Sequence, residues 1–228
     1  MSALVRVHAV TKIYRTGRVE TRALRGVSLT LQEGEFTALA GPSGSGKTTL
    51  LNLIGGLDAP TQGDIEVAGV RLTDLSADAL ADFRLRNLGF VFQTYNLIEV
   101  LTALENVEFP LLLQRVPARE RQQRARQMLE QVGLGDLLHR RPPELSGGQQ
   151  QRVAVARALV THPRLVLADE PTANLDSETG LQLIRLMEDL NRRLGVTFLF
   201  STHDPRVLEA ARRVIRLRDG RILEDTGA

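Results

Sequence analysis

Short apolar runs of strand length occupy both ends of the chain, and between them the spacing changes to the helical period. Leu4–Val10 alternates towards a strand, and Ser28–Leu31 and Phe36–Ala40 predict two more, joined by the turn-like Glu33-Gly34. A helix-like run reaches Ile54 and is ended by Gly55-Gly56, after which Gly63–Val67 predicts another strand. Leu88-Gly89-Phe90-Val91-Phe92 is a fully apolar strand that delivers Gln93 at its carboxyl end. Helices then take over. Thr102-Ala103-Leu104-Glu105 forms a capping box, Pro110 limits or kinks the helix behind it, and Pro117 starts another whose Ala125, Met128, Leu129 and Val132 share one face before Gly133 stops it. An all-helical insert is therefore expected from about Thr94 to Pro143, and the run Gln150–Val160 extends the helical subdomain to about residue 160.

Strand signals return at Leu165–Ala168 and Val196–Ser201, on either side of a helix over Ser177–Leu194. That helix carries Leu183, Met187, Leu190 and Leu194 at core spacing and has Gly195 just past its end. Asp204-Pro205 caps a short helix, and Arg213–Leu217, Asp219-Gly220 and Arg221–Leu223 read as a hairpin with a type I′ turn. Strands alternating with helices make this an α/β chain.

Length changes the picture little: 228 residues suit one domain spanning 1–228 with a subdomain inside it. Charge excludes more. The formal net charge is +2, which is not the concentrated basic face that nucleic acid requires. The densest basic cluster, Arg119 to Arg126, reads as a solvated helix face. Cysteine is absent, so no disulfide forms. No run approaches the ~18 apolar residues of a membrane span, and Met1–Val10 lacks the apolar core of a leader.

Candidate chemistry centres on Gly41-Pro42-Ser43-Gly44-Ser45-Gly46-Lys47-Thr48, which follows a strand and opens a helix. This is a Walker A phosphate loop: its backbone N–H groups and the helix dipole face a polyphosphate, Lys47 adds a point charge, and Thr48 offers a hydroxyl to Mg²⁺, with Thr49 alongside. Asp169-Glu170 ends an apolar strand in the Walker B manner, with Asp169 to hold Mg²⁺ and Glu170 to orient and deprotonate a water. Gln93 and His203 lie at carboxyl ends of strands, where ligands sit in open α/β sheets. Gln93 is thereby a candidate metal ligand and catalytic group, and His203 a phosphate sensor. Leu145-Ser146-Gly147-Gly148-Gln149 opens a helix as a second anion site; capping explains Ser146 but not two helix-weakening glycines. Tyr14, upstream of the phosphate loop, either packs or stacks on a base.

Walker A, Gln93, Leu-Ser-Gly-Gly-Gln, Walker B and His203, in this order, resemble the nucleotide-binding subunit of an ABC transporter from about Leu4 to Glu224. The resemblance implies a phosphate-loop ATPase core with a mixed sheet and flanking helices, an antiparallel β subdomain and an α-helical subdomain. It implies that Tyr14 stacks on adenine, and that Ser146 to Gln149 meet ATP held by a second copy in a head-to-tail dimer. It also implies integral membrane permease partners and a peripheral place on the cytoplasmic face of the inner membrane. Gln93–Leu97, Leu101–Val107 and Thr172–Asp176 are similar to the lipoprotein-release, macrolide-export and cell-division branch, although Ala173 stands where that branch usually has glycine. Macrolide exporters of the branch carry a fused membrane domain that this sequence does not include. Two other function classes make different demands: an ATPase acting on DNA or ribosomes would carry a long insert or two cassettes, and a regulatory binding module would lack Lys47, Glu170 or His203. A docking groove for a permease helix is expected between Gln93 and the helical insert, near Tyr95–Glu105, where the apolar Leu97, Ile98, Val100 and Leu101 either form a socket or pack the insert against the sheet.

Overall fold

The computed structural model describes residues 3–17 and 19–227, so Met1 and Ser2 of the leader reading lie outside the described residues. Two sheets organise it. The first is antiparallel, in the order β2-β1-β4-β5, from β1 (Ala3–Thr16), β2 (Val19–Gln32), β4 (Gln62–Val67) and β5 (Val70–Arg71). The second is mixed, in the order β10-β9-β3-β8-β7-β6, from β3 (Phe36–Ala40), β6 (Leu88–Val91), β7 (Leu165–Ala168), β8 (Thr197–Thr202), β9 (Arg213–Arg218) and β10 (Arg221–Asp225). Five of its strands run parallel, and only β10 is antiparallel to its neighbour. β3, β7 and β8 are buried along their whole length, which is why their sequences are apolar without alternation.

Helices cover the mixed sheet. α1 (Lys47–Ile54) follows β3, and α2 (Ala77–Asn87) precedes β6. α3 (Ala103–Leu113), α4 (Ala118–Gln131) and α5 (Gly147–Leu159) fall between β6 and β7, while α6 (Ser177–Leu194) and α7 (Pro205–Leu208) flank β8. One apolar cluster joins the α3–α5 region to the sheet through Val107, Leu111, Leu129, Val153 and Phe198. A second fills the space between the antiparallel sheet and α1 through Leu24, Leu50, Ile54 and Ile65. The phosphate-loop helix is thus clamped between two sheets.

β1 and β2 extend well beyond Leu4–Val10 and Ser28–Leu31, forming a long hairpin that places Tyr14 inside β1. The added length is solvated and lacks an apolar face for periodicity to reveal: residues 19 to 22 are all exposed. α2 escaped sequence reading for a related reason, since Phe83 is its one buried residue and its start rests on Ser76 accepting from the Ala79 N–H. Pro110 sits inside α3 without ending it. The segment expected as a socket has a fixed backbone, with Val100 exposed. Leu97 packs against the core, and the fully buried Asn106 accepts from the Ile98 N–H while donating to the carbonyls of Ile98, Leu101 and Thr102.

Candidate nucleotide site

The carboxyl ends of β3, β6, β7 and β8 lie along one edge of the mixed sheet, the edge at which open α/β sheets take ligands. From β3 the chain enters the phosphate loop, β6 leads to Gln93, β7 ends at Asp169-Glu170, and β8 ends just before His203. Residues Pro42, Ser43, Gly44, Ser45, Gly46, Lys47, Thr48 and Thr49 line a cleft of about 650 Å³ with Gln93, Glu170 and His203. Thr21, Arg22 and Ala23 of β2 line it too, and sequence reading missed them. Their only signal would have been pairing between distant segments.

Local geometry forces the loop residues. Gly46 caps α1 with φ near +106°, and a Cβ there would stand 2.7 Å from the Ala23 carbonyl oxygen. Lys47 is largely buried. Its ammonium donates to the carbonyls of Gly41 at 2.7 Å and Pro42 at 3.2 Å, and lies 3.4 Å from Glu170 Oε1. The other Glu170 oxygen lies 3.1 Å from His203 Nδ1. One carboxylate therefore faces two nitrogen groups contributed by different strand ends.

Glu170 adopts φ near +45°, a left-handed conformation that a residue other than glycine keeps only when its surroundings hold it. Ser201 supplies part of the hold, accepting from the Glu170 N–H at 2.8 Å and donating to Asp169 Oδ1 at 2.7 Å. Thr48 Oγ1 donates to the same Asp169 oxygen at 3.1 Å, so two of the three residues expected as metal ligands, the third being Gln93, are adjacent. Among the described residues no cluster of three or more His, Cys, Asp or Glu exists to hold a metal by itself. Gln93 is fixed through its backbone, its carbonyl accepting from Asn174 Nδ2 at 2.9 Å. Arg157 of α5 donates to the carbonyls of Tyr95 at 2.9 Å and Asn96 at 2.6 Å, anchoring the next residues.

Tyr14 and Ser146-Gly147-Gly148-Gln149 do not line the cleft. Tyr14 is partly exposed on β1 and bonds Asp58 and Thr49, which places it beside the first turn of α1. Ser146 caps α5 in a reciprocal box with Gln149, at 3.3 and 2.9 Å. The two glycines that capping leaves unexplained have a packing reason within the chain. A Cβ on Gly147 would stand 2.8 Å from Tyr95 Oη, and one on Gly148 2.6 Å from Thr179 Cγ2.

A sheet edge that gathers a phosphate loop, a carboxylate pair and a histidine defines a phosphate-loop ATPase. Residues 24–173 match the family model described as ABC transporter. The chain is 53% identical to the lipoprotein-releasing system ATP-binding protein LolD of Anaeromyxobacter dehalogenans, over 97% of this chain and 93% of that one. It is 48% identical to the macrolide export ATP-binding/permease protein MacB of Hyphomonas neptunium, over 98% of this chain but 35% of that longer protein. A solved dimeric ATP-binding cassette in a post-hydrolysis state, bound to ADP and Pi, superposes with a TM-score of 0.89 at 44% identity, covering 97% of each chain. The chain belongs to the ABC transporter family, as an ATP-binding and ATP-hydrolysing cassette. The resemblance to the lipoprotein-release and macrolide-export branch holds at the level of whole-chain similarity. No helix among the described residues is long and apolar enough to cross a membrane.

Proposed function

We propose that this chain binds ATP with Mg²⁺ in the phosphate-loop cleft, closes head-to-tail on a second copy of itself, and opens again when Glu170 promotes hydrolysis. The observation that carries the reading is the placement of Lys47 and His203 on opposite oxygens of Glu170. Lys47, now held by two carbonyls of its own loop, has the reach and charge to exchange them for β- and γ-phosphate oxygens. That exchange releases Glu170 from its cation, leaving a carboxylate held by His203 to orient a water and accept its proton. Gln93, on the same cleft, senses the γ-phosphate side.

Thr48 and Asp169 fit Mg²⁺, a hard cation that takes few protein oxygens and leaves its other positions to water and phosphate. When bound, the ion neutralises charge on the β- and γ-phosphates. Asp169 is held ready by Ser201 and Thr48. Ser146, Gly147, Gly148 and Gln149, which stand away from their own chain's cleft, serve the nucleotide of the second copy. The dimeric state of the similar cassette supports this assembly.

The power stroke acts on separate integral membrane permease subunits of the export, lipoprotein-release or mechanotransmission type, with the cassette peripheral on the cytoplasmic face. Similarity to a lipoprotein-releasing ATP-binding protein supports that assignment. A groove of about 400 Å³ between α2, α3 and β6, lined by Leu85, Phe90, Phe92, Phe109 and Leu113, is the docking place for an apolar helix of the permease. Glu170→Gln tests the mechanism, because the amide keeps the shape and cannot take the proton. Hydrolysis should fall by roughly 10²–10⁴. An ATP-dependent dimer should then persist in size-exclusion chromatography, and turnover at the wild-type rate would remove Glu170 from the role of base.

A further inference from the structure

Beside its bond to Thr49, Tyr14 makes contacts with Lys12 and Asp58 that neither the phosphate loop nor the carboxylate pair requires. The Lys12 ammonium donates to Asp58 Oδ1 at 2.6 Å and to the Ala59 carbonyl at 2.7 Å, and stands 4.9 Å from the centre of the Tyr14 ring. The Tyr14 hydroxyl donates to the other Asp58 oxygen at 2.9 Å. Each carboxylate oxygen therefore has its own partner, and those partners are the cation over the ring and the hydroxyl at its edge. Ion pairs on open surface contribute little, but the Lys12 side chain is only 12% exposed and its three partners are fixed by backbone.

The backbone is fixed because the loop after α1 is stitched to β1: Ile13 N–H donates to Thr61 Oγ1 at 3.0 Å, and Thr61 N–H to the Thr11 carbonyl at 2.9 Å. Burial alone would raise Asp58, yet the hydrogen bonds from Lys12, Tyr14 and the Ala59 N–H hold its carboxyl below the ordinary range. The same contacts push the Tyr14 phenol up, burial first and the Asp58 bond second. Lysine itself is selective here. Of 29 lysine and arginine side chains only Lys12 and Lys47 are lysine, and a compact ammonium fits over a ring while still reaching two acceptors.

We propose that Lys12 and Asp58 are positioning residues that lock the Tyr14 ring as a platform for the base of the nucleotide, with Lys12 against one face and the base against the other. The proposal rests on the reading that Tyr14 stacks on adenine. A flat ring free to rotate about χ1 loses orientation before it can stack; two contacts, one on the face and one on the hydroxyl, remove that freedom.

Binding of ATP and of inorganic triphosphate, which has no base, tests it on the full chain. Asp58→Ala and Lys12→Met should each raise the Kd for ATP about fivefold, the worth of one lost hydrogen bond, and leave the Kd for triphosphate unchanged. In a Tyr14→Ala background neither change should weaken ATP further. Asp58→Asn and Lys12→Arg serve where the larger changes lower Tm below the assay temperature. Asn offers one acceptor where two are needed, so it should give the same ATP-only loss at reduced size. If ATP and triphosphate weaken together, or the loss persists without Tyr14, Lys12 and Asp58 act on the fold and the proposal fails. If Tyr14→Ala weakens ATP while the Asp58 and Lys12 variants do not, the lock fails and stacking stands. If Tyr14→Ala binds ATP like wild type, stacking fails and the lock goes with it.

Discussion

Ser201 donates its hydroxyl to Asp169 at 2.7 Å, from the end of one strand to the end of its neighbour, and the same oxygen accepts the N–H of Glu170. A side chain that touches no nucleotide in the proposed mechanism thus holds the Asp169 carboxylate and the backbone of Glu170. Ser201 is completely buried, so removing it leaves the Glu170 N–H without a partner in a backbone that is already left-handed.

Ser201→Ala should therefore cost about 1–3 kcal/mol of stability and lower kcat about tenfold or more, with the Kd for ATP within about twofold of wild type. Calorimetry and a steady-state ATPase assay check the two halves. A normal kcat in a destabilised protein would make Ser201 a packing residue only.

Ser201 also shows where sequence reading stops. The phosphate loop, the carboxylate pair and His203 were legible because each is a local event, a motif attached to the end of an apolar strand. β3, β7 and α6 end where their apolar runs and glycines say they do. Ser201 looked like one more residue of a buried strand; its role exists only because β7 and β8 lie side by side. Lys12 and Asp58 are likewise joined only by folding, 46 positions apart. The segment near Tyr95–Glu105, expected to hold a docking groove, gains detail only from the fold. Leu97 turns into the core and Asn106 ties the backbone of Ile98 and Leu101 from the following helix, while Val100 stays exposed.

The end of the chain is held by charge. Arg213 makes a bidentate pair with Asp225 at 2.8 and 2.7 Å and reaches Glu35 at 2.9 Å, joining β9 to β10 and to the turn before β3. Hydrogen bonds from Arg213 hold the Asp225 carboxyl below its ordinary value of 3.8, against the opposing effect of burial. A depressed carboxylate stabilises the fold above its unfolded pKa, and the contribution is lost as pH falls through the lower folded value. The Tm difference between wild type and Asp225→Asn should accordingly be full near neutral pH and close as pH drops below about 4. A difference that stays constant across a pH series would assign the pair's effect to packing.

The proposed docking of a permease helix has a candidate groove in the structure. Phe109, Leu112 and Leu113 are exposed along α3, and Phe109 and Leu113 line the groove with Leu85, Phe90 and Phe92. Exposed large apolar side chains beside an apolar groove suit a partner helix that buries its own apolar face. Arg157 joins this groove to the rest of the machine: it lines the wall, its stem lies in α5, and its guanidinium holds the carbonyls just after Gln93. A helix pressed into the groove thereby bears on the same segment that carries Gln93 to the cleft. Leu113→Glu puts a charge on the exposed rim without opening a core cavity, so Tm and basal ATPase of the isolated chain should stay at wild-type values. Co-purification with the permease, and the stimulation of ATPase that accompanies it, should be lost. Val100→Glu changes a still more exposed residue outside the groove and should leave both intact. Retained co-purification with Leu113→Glu, or its loss with Val100→Glu alone, would move the docking site back to the loop after Gln93.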